Sequence, residues 1–289
     1  MQGLVAAKDG GYQVSDTVMG NAVSYLQNSL LELQTGSAQP FLHREAYVLY
    51  ALALAGYPDA GRISTLYELR GSMQHWAQAL LALTIGELDP ADPRLANIEA
   101  DLVSSAILSA TGAHWEEDTG DRWNWNTDTR STAIILAAYA KLWPKSDLAP
   151  NIVRWLMVAR DGSHWETAQE TAWALVAVAD WMQTTGELQP AYPWQVTFNG
   201  ARLISGVADA STVMQSASAT VDVANMMRDN VNRLGLKRDA GAGRLYYTAH
   251  LAVYQPVEQV EPLNRGLIVS RRYLDVAGSP VTEGHVGDT

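Results

Sequence analysis

His43, His75, His114 and His164 are the side chains of this sequence best suited to acid–base or metal chemistry, and they fall at irregular intervals. A zinc site needs ligands at i and i+4 on one helix face, or a comparable cluster. No such spacing is present, so these histidines read as hydrogen-bonded turn and core residues. Glu116, Glu117, Asp118 and Asp121 form an acidic run. Two carboxylates flanking a glycosidic bond could hydrolyse it; a solvated loop with helix-capping roles explains the same run more simply. Asn126, Thr127 and Asp128 fit caps, and Glu166 and Glu170 fit a first helical turn, where negative charge is favourable. Gly241 and Gly243 precede a strand-like run rather than joining a strand to a helix, so they are no phosphate loop. No order of Ser, His and Asp residues points to a triad. The tryptophans could form aromatic subsites for sugars or terpenes, but their placement at helix starts and on apolar faces fits core packing. With no cysteine in the chain, thiol nucleophiles, disulfides and cysteine metal sites are all excluded. No catalytic, cofactor-binding or metal-ligating residue is assigned.

The elements around these residues repeat. His114-Trp115-Glu116 and His164-Trp165-Glu166 each precede a helix opening with a Thr-Ala pair, at Thr132-Ala133 and Thr171-Ala172. The two pairs are 39 residues apart, a spacing of stacked helical hairpins. Ala46 and Leu49 carry the same Ala-x-x-Leu spacing. Apolar periodicity and stop signals place helices near 15–34, 43–55, 60–70, 72–85, 94–110, 127–142, 149–160 and 167–183. The last is apolar nearly all round, which predicts an inner helix buried on several sides. Residues 188–193 read as a linker. Asn199-Gly200 between two short apolar runs predicts a β-hairpin. Further strands are expected at 232–236, 241–254 (Leu245, Tyr247, Ala249, Leu251 and Val253 on one face) and 267–270.

Charge divides the chain. The whole carries 20 basic and 31 acidic residues, net −11, whereas residues 190–289 carry nine of each. The first 189 residues therefore hold the full −11, and nine of the ten tryptophans. An acidic surface disfavours nucleic acid. No apolar run reaches membrane-span length, and residues 1–3 do not read as a secretory signal.

The order of motifs resembles the thioester domain of the alpha-2-macroglobulin and complement superfamily, most closely its bacterial members. The residues carrying the resemblance are Ala55-Gly56-Tyr57, the run from Arg130 through Thr132-Ala133 to Leu136, Val153-Arg154-Trp155-Leu156 with Arg160, Gly162 to Trp165, and Thr167 through Glu170-Thr171-Ala172-Trp173 to Leu175. Residues 241–254 resemble the β-rich stretch that follows that domain, and 266–273 the entry to the family's final domain. The resemblance implies a mainly α, then β chain: part of an α/α toroid over 1–187, the second half of a CUB-like β-sandwich over 188–264, and the start of a receptor-binding-like β domain over 265–289. It further implies a non-enzymatic piece of a protease trap, periplasmic, cell-surface or secreted, whose partners are target proteases and other domains of a longer chain. The family's Cys–Gln thioester motif is missing here and is expected upstream of Met1. The alternative is an α/α-toroid enzyme of terpene-cyclase or polysaccharide-degrading type.

Overall fold

The structure is a computed structural model, and it describes residues 1–117, 121–247, 249–252, 272–275 and 277–281. The chain is mainly α, then β. It divides into two compact units, Met1–Tyr246 and Tyr247–Thr289.

The first unit opens with helices α1 (Gln2–Asp9), α2 (Asp16–Asn28), α3 (Gln39–Leu54), α4 (Ala60–Glu68), α5 (His75–Leu88) and α6 (Arg94–Ser105). A hairpin of β1 (Ile107–Ser109) and β2 (Gly112–His114) follows, then α7 (Asp128–Leu142), α8 (Ala149–Ala159) and α9 (Ala168–Thr184). Helices α3, α5, α7 and α9 lie side by side in that order, and α4, α6 and α8 pack outside them. Helices α3, α5 and α7 are apolar on two sides because each has an inner neighbour and an outer one. In α5 every residue from Trp76 to Gly86 is buried. At full burial each such leucine or isoleucine contributes roughly 1.5–3 kcal/mol.

The helix at 167–183, expected to be an inner helix buried on several sides, is an inner helix with one apolar side open. Helix α9 does belong to the inner row, packed on α7, but Leu175 and Val176 are 54% and 48% exposed. Its packed side meets α7 and, through Trp173, the Tyr47 ring of α3, and Leu175 and Val176 lie on the side these neighbours leave open. The helix expected at 94–110 is also shorter. It stops at Ser105, because residues 107–109 pair as a strand with 112–114. Gly112 makes that hairpin possible: its φ is +134°, and a Cβ there would lie 2.2 Å from the Asn151 carbonyl of α8. Only glycine supplies both the conformation and the close approach.

Beyond α9, β3 (Tyr192–Phe198) pairs antiparallel with β4 (Ala201–Ala208) and with β5 (Leu234–Arg238), in sheet order β4-β3-β5. The Asn199-Gly200 hairpin forms as expected, with φ of +50° and +83°, the positive pair a type I′ turn needs. Tyr192, expected in a linker, is buried and begins β3; its ring packs under Arg238, with 4.1 Å from guanidinium to ring centre. The strand expected at 232–236 runs from 234 to 238. No strand forms at 241–247 or 249–252, contrary to the alternation there. One cause is visible at its start: the Ala242 carbonyl and the Gly241 and Gly243 carbonyls bond Ala191 and Arg238 as loop contacts instead of a ladder. Val253, Tyr254 and the strand expected at 267–270 lie outside the described residues. In the second unit, β6 (Tyr273–Leu274) pairs with β7 (Pro280–Val281).

Candidate functional site: a polar seam across the inner helices

Of the histidines and acids singled out in the sequence, His43, His75, Glu117, Asp121 and Glu170 gather at the N-terminal ends of the inner helices, where unpaired backbone N–H groups need acceptors. Glu117 precedes α7 and caps α5. Its carboxylate accepts from the backbone N–H of His75 (3.3 Å) and Trp76 (3.4 Å), from the His75 ring (3.0 Å) and from Ser131 Oγ (2.7 Å). Burial alone would raise this carboxyl, but the bonds from His75 and Ser131 outweigh it and hold the group below its ordinary range. Thr127 caps α7 by accepting from Arg130 N–H and donates its hydroxyl to Glu170 at 2.5 Å. Glu170 also accepts from Thr167 N–H, while Thr167 Oγ1 caps α9 in a capping box. The carboxylates therefore link α5 to α7 and α7 to α9.

His43 joins α3 to the same seam. It is wholly buried, with Nδ1 2.6 Å from Asp121 Oδ2 and Nε2 2.9 Å from the Gln74 N–H. Since Gln74 donates to Nε2, the ring proton is on Nδ1 and points at Asp121. Burial lowers the His43 pKa more than Asp121 raises it, so the ring is neutral. Burial would raise Asp121, but the bonds from His43 and Asn124 overcome this and lower it. Trp76 lies under this pair, with the His43 ring edge-on at 5.3 Å and the Arg130 guanidinium 4.6 Å over its face. Burial pushes Arg130 down to about 10, which leaves it a cation at neutral pH.

A general base needs a lone pair free to face a substrate. Both His43 nitrogens are occupied inside the fold, and Glu117 spends its oxygens on helix caps. The seam therefore holds helices together. Elsewhere, His114 stacks flat on Trp155 at 4.6 Å and meets exposed Glu116 at 3.2 Å. His164 is exposed and takes part in a backbone bridge with Asp161. Glu166 is also exposed, and Asp118 lies outside the described residues. Among the described residues no three or more His, Asp or Glu side chains come together as metal ligands.

The repeated Trp and Thr-Ala elements have one structural meaning. Thr132 Oγ1 accepts from Trp115 N–H at 3.2 Å, and Thr171 Oγ1 from Trp165 N–H at 3.0 Å. The Trp115 indole donates to Leu102 O and the Trp165 indole to Leu156 O, both at 2.9 Å. Each unit thus clamps the end of an outer helix to the next inner helix. The same position in α3 is Glu45, which accepts from Leu31 N–H at 3.3 and 3.2 Å, and in α5 it is Gln78, which donates to Arg70 O and Met73 O. Alanine follows in all four cases, at 46, 79, 133 and 172. Replacing Thr132 by valine keeps the shape and orphans the buried Trp115 N–H. The expected loss is about 1–3 kcal/mol of unfolding free energy in urea titration, with α-helical circular dichroism unchanged.

This four-fold alignment also defines the open side of α9. Four residues on from the repeated polar position stand Leu49, Ala82, Leu136 and Leu175; five residues on stand Tyr50, Leu83, Ala137 and Val176. The first three of each set are buried, and Leu175 and Val176 are exposed. Ala46, Ala79 and Ala133 are likewise buried where Ala172 is exposed.

Sequence reasoning missed two sites. Glu187, in a stretch that carried no motif, is a buried hub at the end of α9. It accepts from the Trp181 indole (3.0 Å), from Tyr246 Oη (2.9 Å) and from Arg244 Nε (3.2 Å). Burial raises this carboxyl above its ordinary range. Trp123 and Trp125, expected in the core with the other tryptophans, are 83% and 78% exposed. Helical periodicity cannot locate a side chain on a turn, so nothing in their spacing marked them as exposed.

No family model matches the sequence, and neither does any curated protein. Solved structures do. Salmonella alpha-2-macroglobulin reacted with methylamine aligns over 96% of this chain and 17% of its own, at 14% identity and TM-score 0.52. Escherichia coli alpha-2-macroglobulin activated by porcine elastase aligns over 96% and 23%, at 15% identity and TM-score 0.50. A mutant of the Salmonella protein aligns over 73% and 14%, at 16% identity and TM-score 0.51. The chain spans less than a quarter of the length of each of these three proteins. At the level of fold, this mainly α, then β chain is built like a segment of the bacterial alpha-2-macroglobulins.

Proposed function

We propose that the chain is part of a bacterial alpha-2-macroglobulin-like protease trap, and that it serves there as wall and domain interface rather than as a catalyst. The observation that carries this reading is the shared fold over 96% of the chain with proteins described as activated by elastase and reacted with methylamine. The helical row is then an arc of an α/α toroid, and the exposed face of α9 (Ala172, Leu175, Val176, Ala179) is where a further helical hairpin packs. The sheet β4-β3-β5 is then part of a CUB-like sandwich. A Cys–Gln thioester, where the trap has one, lies outside this cysteine-free chain. The trap works in the periplasm, at the cell surface or outside the cell, and its partners are the proteases it captures and the other domains of the longer protein. Among the described residues no helix is long and apolar enough to cross a membrane. The occupied lone pairs of His43 and Glu117 favour a trap wall over a toroid enzyme.

The test is an elastase assay on casein with two proteins, this chain and the product of the same reading frame extended upstream. The 289-residue chain is expected to leave elastase activity unchanged, and the longer product to bind elastase and lower its activity. Inhibition by the chain alone, or a longer product that elastase degrades without being bound, would overturn the reading.

A further inference from the structure

We propose that the turn carrying Trp123 and Trp125 is a docking site for a basic protein segment, with arginine or lysine side chains stacking on the two indoles. The two rings stand 83% and 78% exposed, two and four residues beyond buried Asp121, and Asn124 between them bonds the carbonyl of Pro40, the residue before exposed Phe41. Tryptophan in such a position is the residue type that most often carries binding energy. The turn beneath them is firmly built. Asp121 accepts from Asn124 N–H at 3.1 Å and from Asn124 Nδ2 at 2.7 Å; Asn124 Nδ2 also reaches the Pro40 carbonyl at 3.2 Å, one residue before Phe41. Asn126 donates to Ser131 Oγ at 2.9 Å and accepts from Arg130 Nη1 at 2.9 Å. Trp125 itself sits at φ +54°, a left-handed conformation that a bulky side chain adopts only against strain. The fold thus spends hydrogen bonds and strain on holding two large apolar rings in water.

The surroundings choose the partner. The helical part of the chain carries the full −11 charge, and Glu116 and Asp128, both exposed, flank the turn. Two positive charges stand against that field: Arg122, exposed between the acids, and Arg130, which is buried beneath the turn and bonded to Asn126. A tryptophan face attracts cations, most strongly when acidic neighbours add to the potential. Sugars fit poorly: stacking on tryptophan needs amides nearby to read hydroxyls, and Asn124 and Asn126 spend theirs inside the turn. Nucleic acid and anionic lipid are repelled by the same charge.

The experiment uses the 289-residue chain and a double variant, Trp123→Ala with Trp125→Gly. Glycine relieves the left-handed strain, so the variant keeps its melting temperature, and its net charge is unchanged. The probe is a nonapeptide of alternating glycine and arginine, with a glutamate counterpart and chitohexaose as controls, followed by isothermal titration calorimetry at low salt. The arginine peptide is expected to bind the chain and to bind the variant at least about tenfold more weakly. Equal binding by the variant would mean attraction to net charge alone and overturn the proposal, as would binding of chitohexaose or no binding of the arginine peptide. Indole-resolved NMR of the unmutated chain gives a second reading. A spin-labelled arginine peptide should broaden the Trp123 and Trp125 indole signals and spare those of buried Trp76, Trp115 and Trp181; uniform broadening would count against the site.

Discussion

Replacing His43 by alanine is expected to remove about 3–5 kcal/mol of unfolding free energy, measured by urea or guanidinium titration. The ring is wholly buried and bonded on both sides, to Asp121 and to the Gln74 N–H. Its loss leaves the Asp121 carboxylate with Asn124 as its remaining side-chain partner, leaves Gln74 N–H without its acceptor, and opens a space beside Trp76. A buried charge stripped of its partner costs more than the pair contributed. The pH dependence follows from the same site. His43 binds its proton more weakly in the folded state than at its ordinary value of 6.5. As pH falls below about 6.5 the unfolded chain takes up a proton that the folded chain refuses, and stability declines. Asp121 and Glu117 have folded values below their ordinary 3.8 and 4.5, so their contribution is full above those values and is lost as pH falls through the folded ones. Between pH 7 and 5 the alanine variant should therefore show a flatter stability curve than the parent. A variant as stable as the parent, or one with the same slope, would show that the His43–Asp121 pair does not tie α3 to the seam.

Replacing Trp115 by alanine is expected to cost about 3–5 kcal/mol. The indole is wholly buried between α6, α7 and the β1–β2 hairpin, and its Nε1–H satisfies the Leu102 carbonyl at the end of α6. The change removes the packing of a large ring and leaves that carbonyl without its indole donor. Phenylalanine in its place keeps most of the ring and loses the bond, so it should cost less than half as much. Because Trp165 makes the same two contacts one repeat later but at the exposed end of the row, Trp165→Ala should cost less than Trp115→Ala. Equal losses at both positions would mean that the clamp, and not its burial between two neighbouring hairpins, sets the energy.

How much of this was legible before the structure differs by element. The inner and outer helices were readable because proline, glycine and capping residues punctuate them, as at Gly56-Tyr57-Pro58 and Thr167. The Asn199-Gly200 hairpin was readable because few other pairs accept two positive φ values. The β1–β2 hairpin was not: three-residue strands show no alternation, and Thr111-Gly112 reads equally as a helix stop. Alternation at 241–252 misled, because period-two apolarity does not form a strand without a partner ladder. The open side of α9 could not be seen in its sequence, since an apolar helix surface looks alike whether its neighbour is within the chain or outside it. Of the site, the residue types were legible and their purpose only in outline. Glu117 and Glu170 were recognisable as capping acids, but that Glu117 caps α5, a helix more than 40 residues earlier in the chain, depends on tertiary packing. The exposure of Trp123 and Trp125 had no sequence signal.

On the function proposed above, α9 presents the unfinished edge of a helical ring. Because the chain has no cysteine, a single Leu175→Cys substitution reports on that edge by its rate of reaction with a maleimide, localised by mass spectrometry. In the 289-residue chain the rate should match that of a free surface thiol. In the upstream-extended protein the same thiol should react at least about tenfold more slowly, because a neighbouring hairpin covers it. Equal rates in the two proteins would contradict the account.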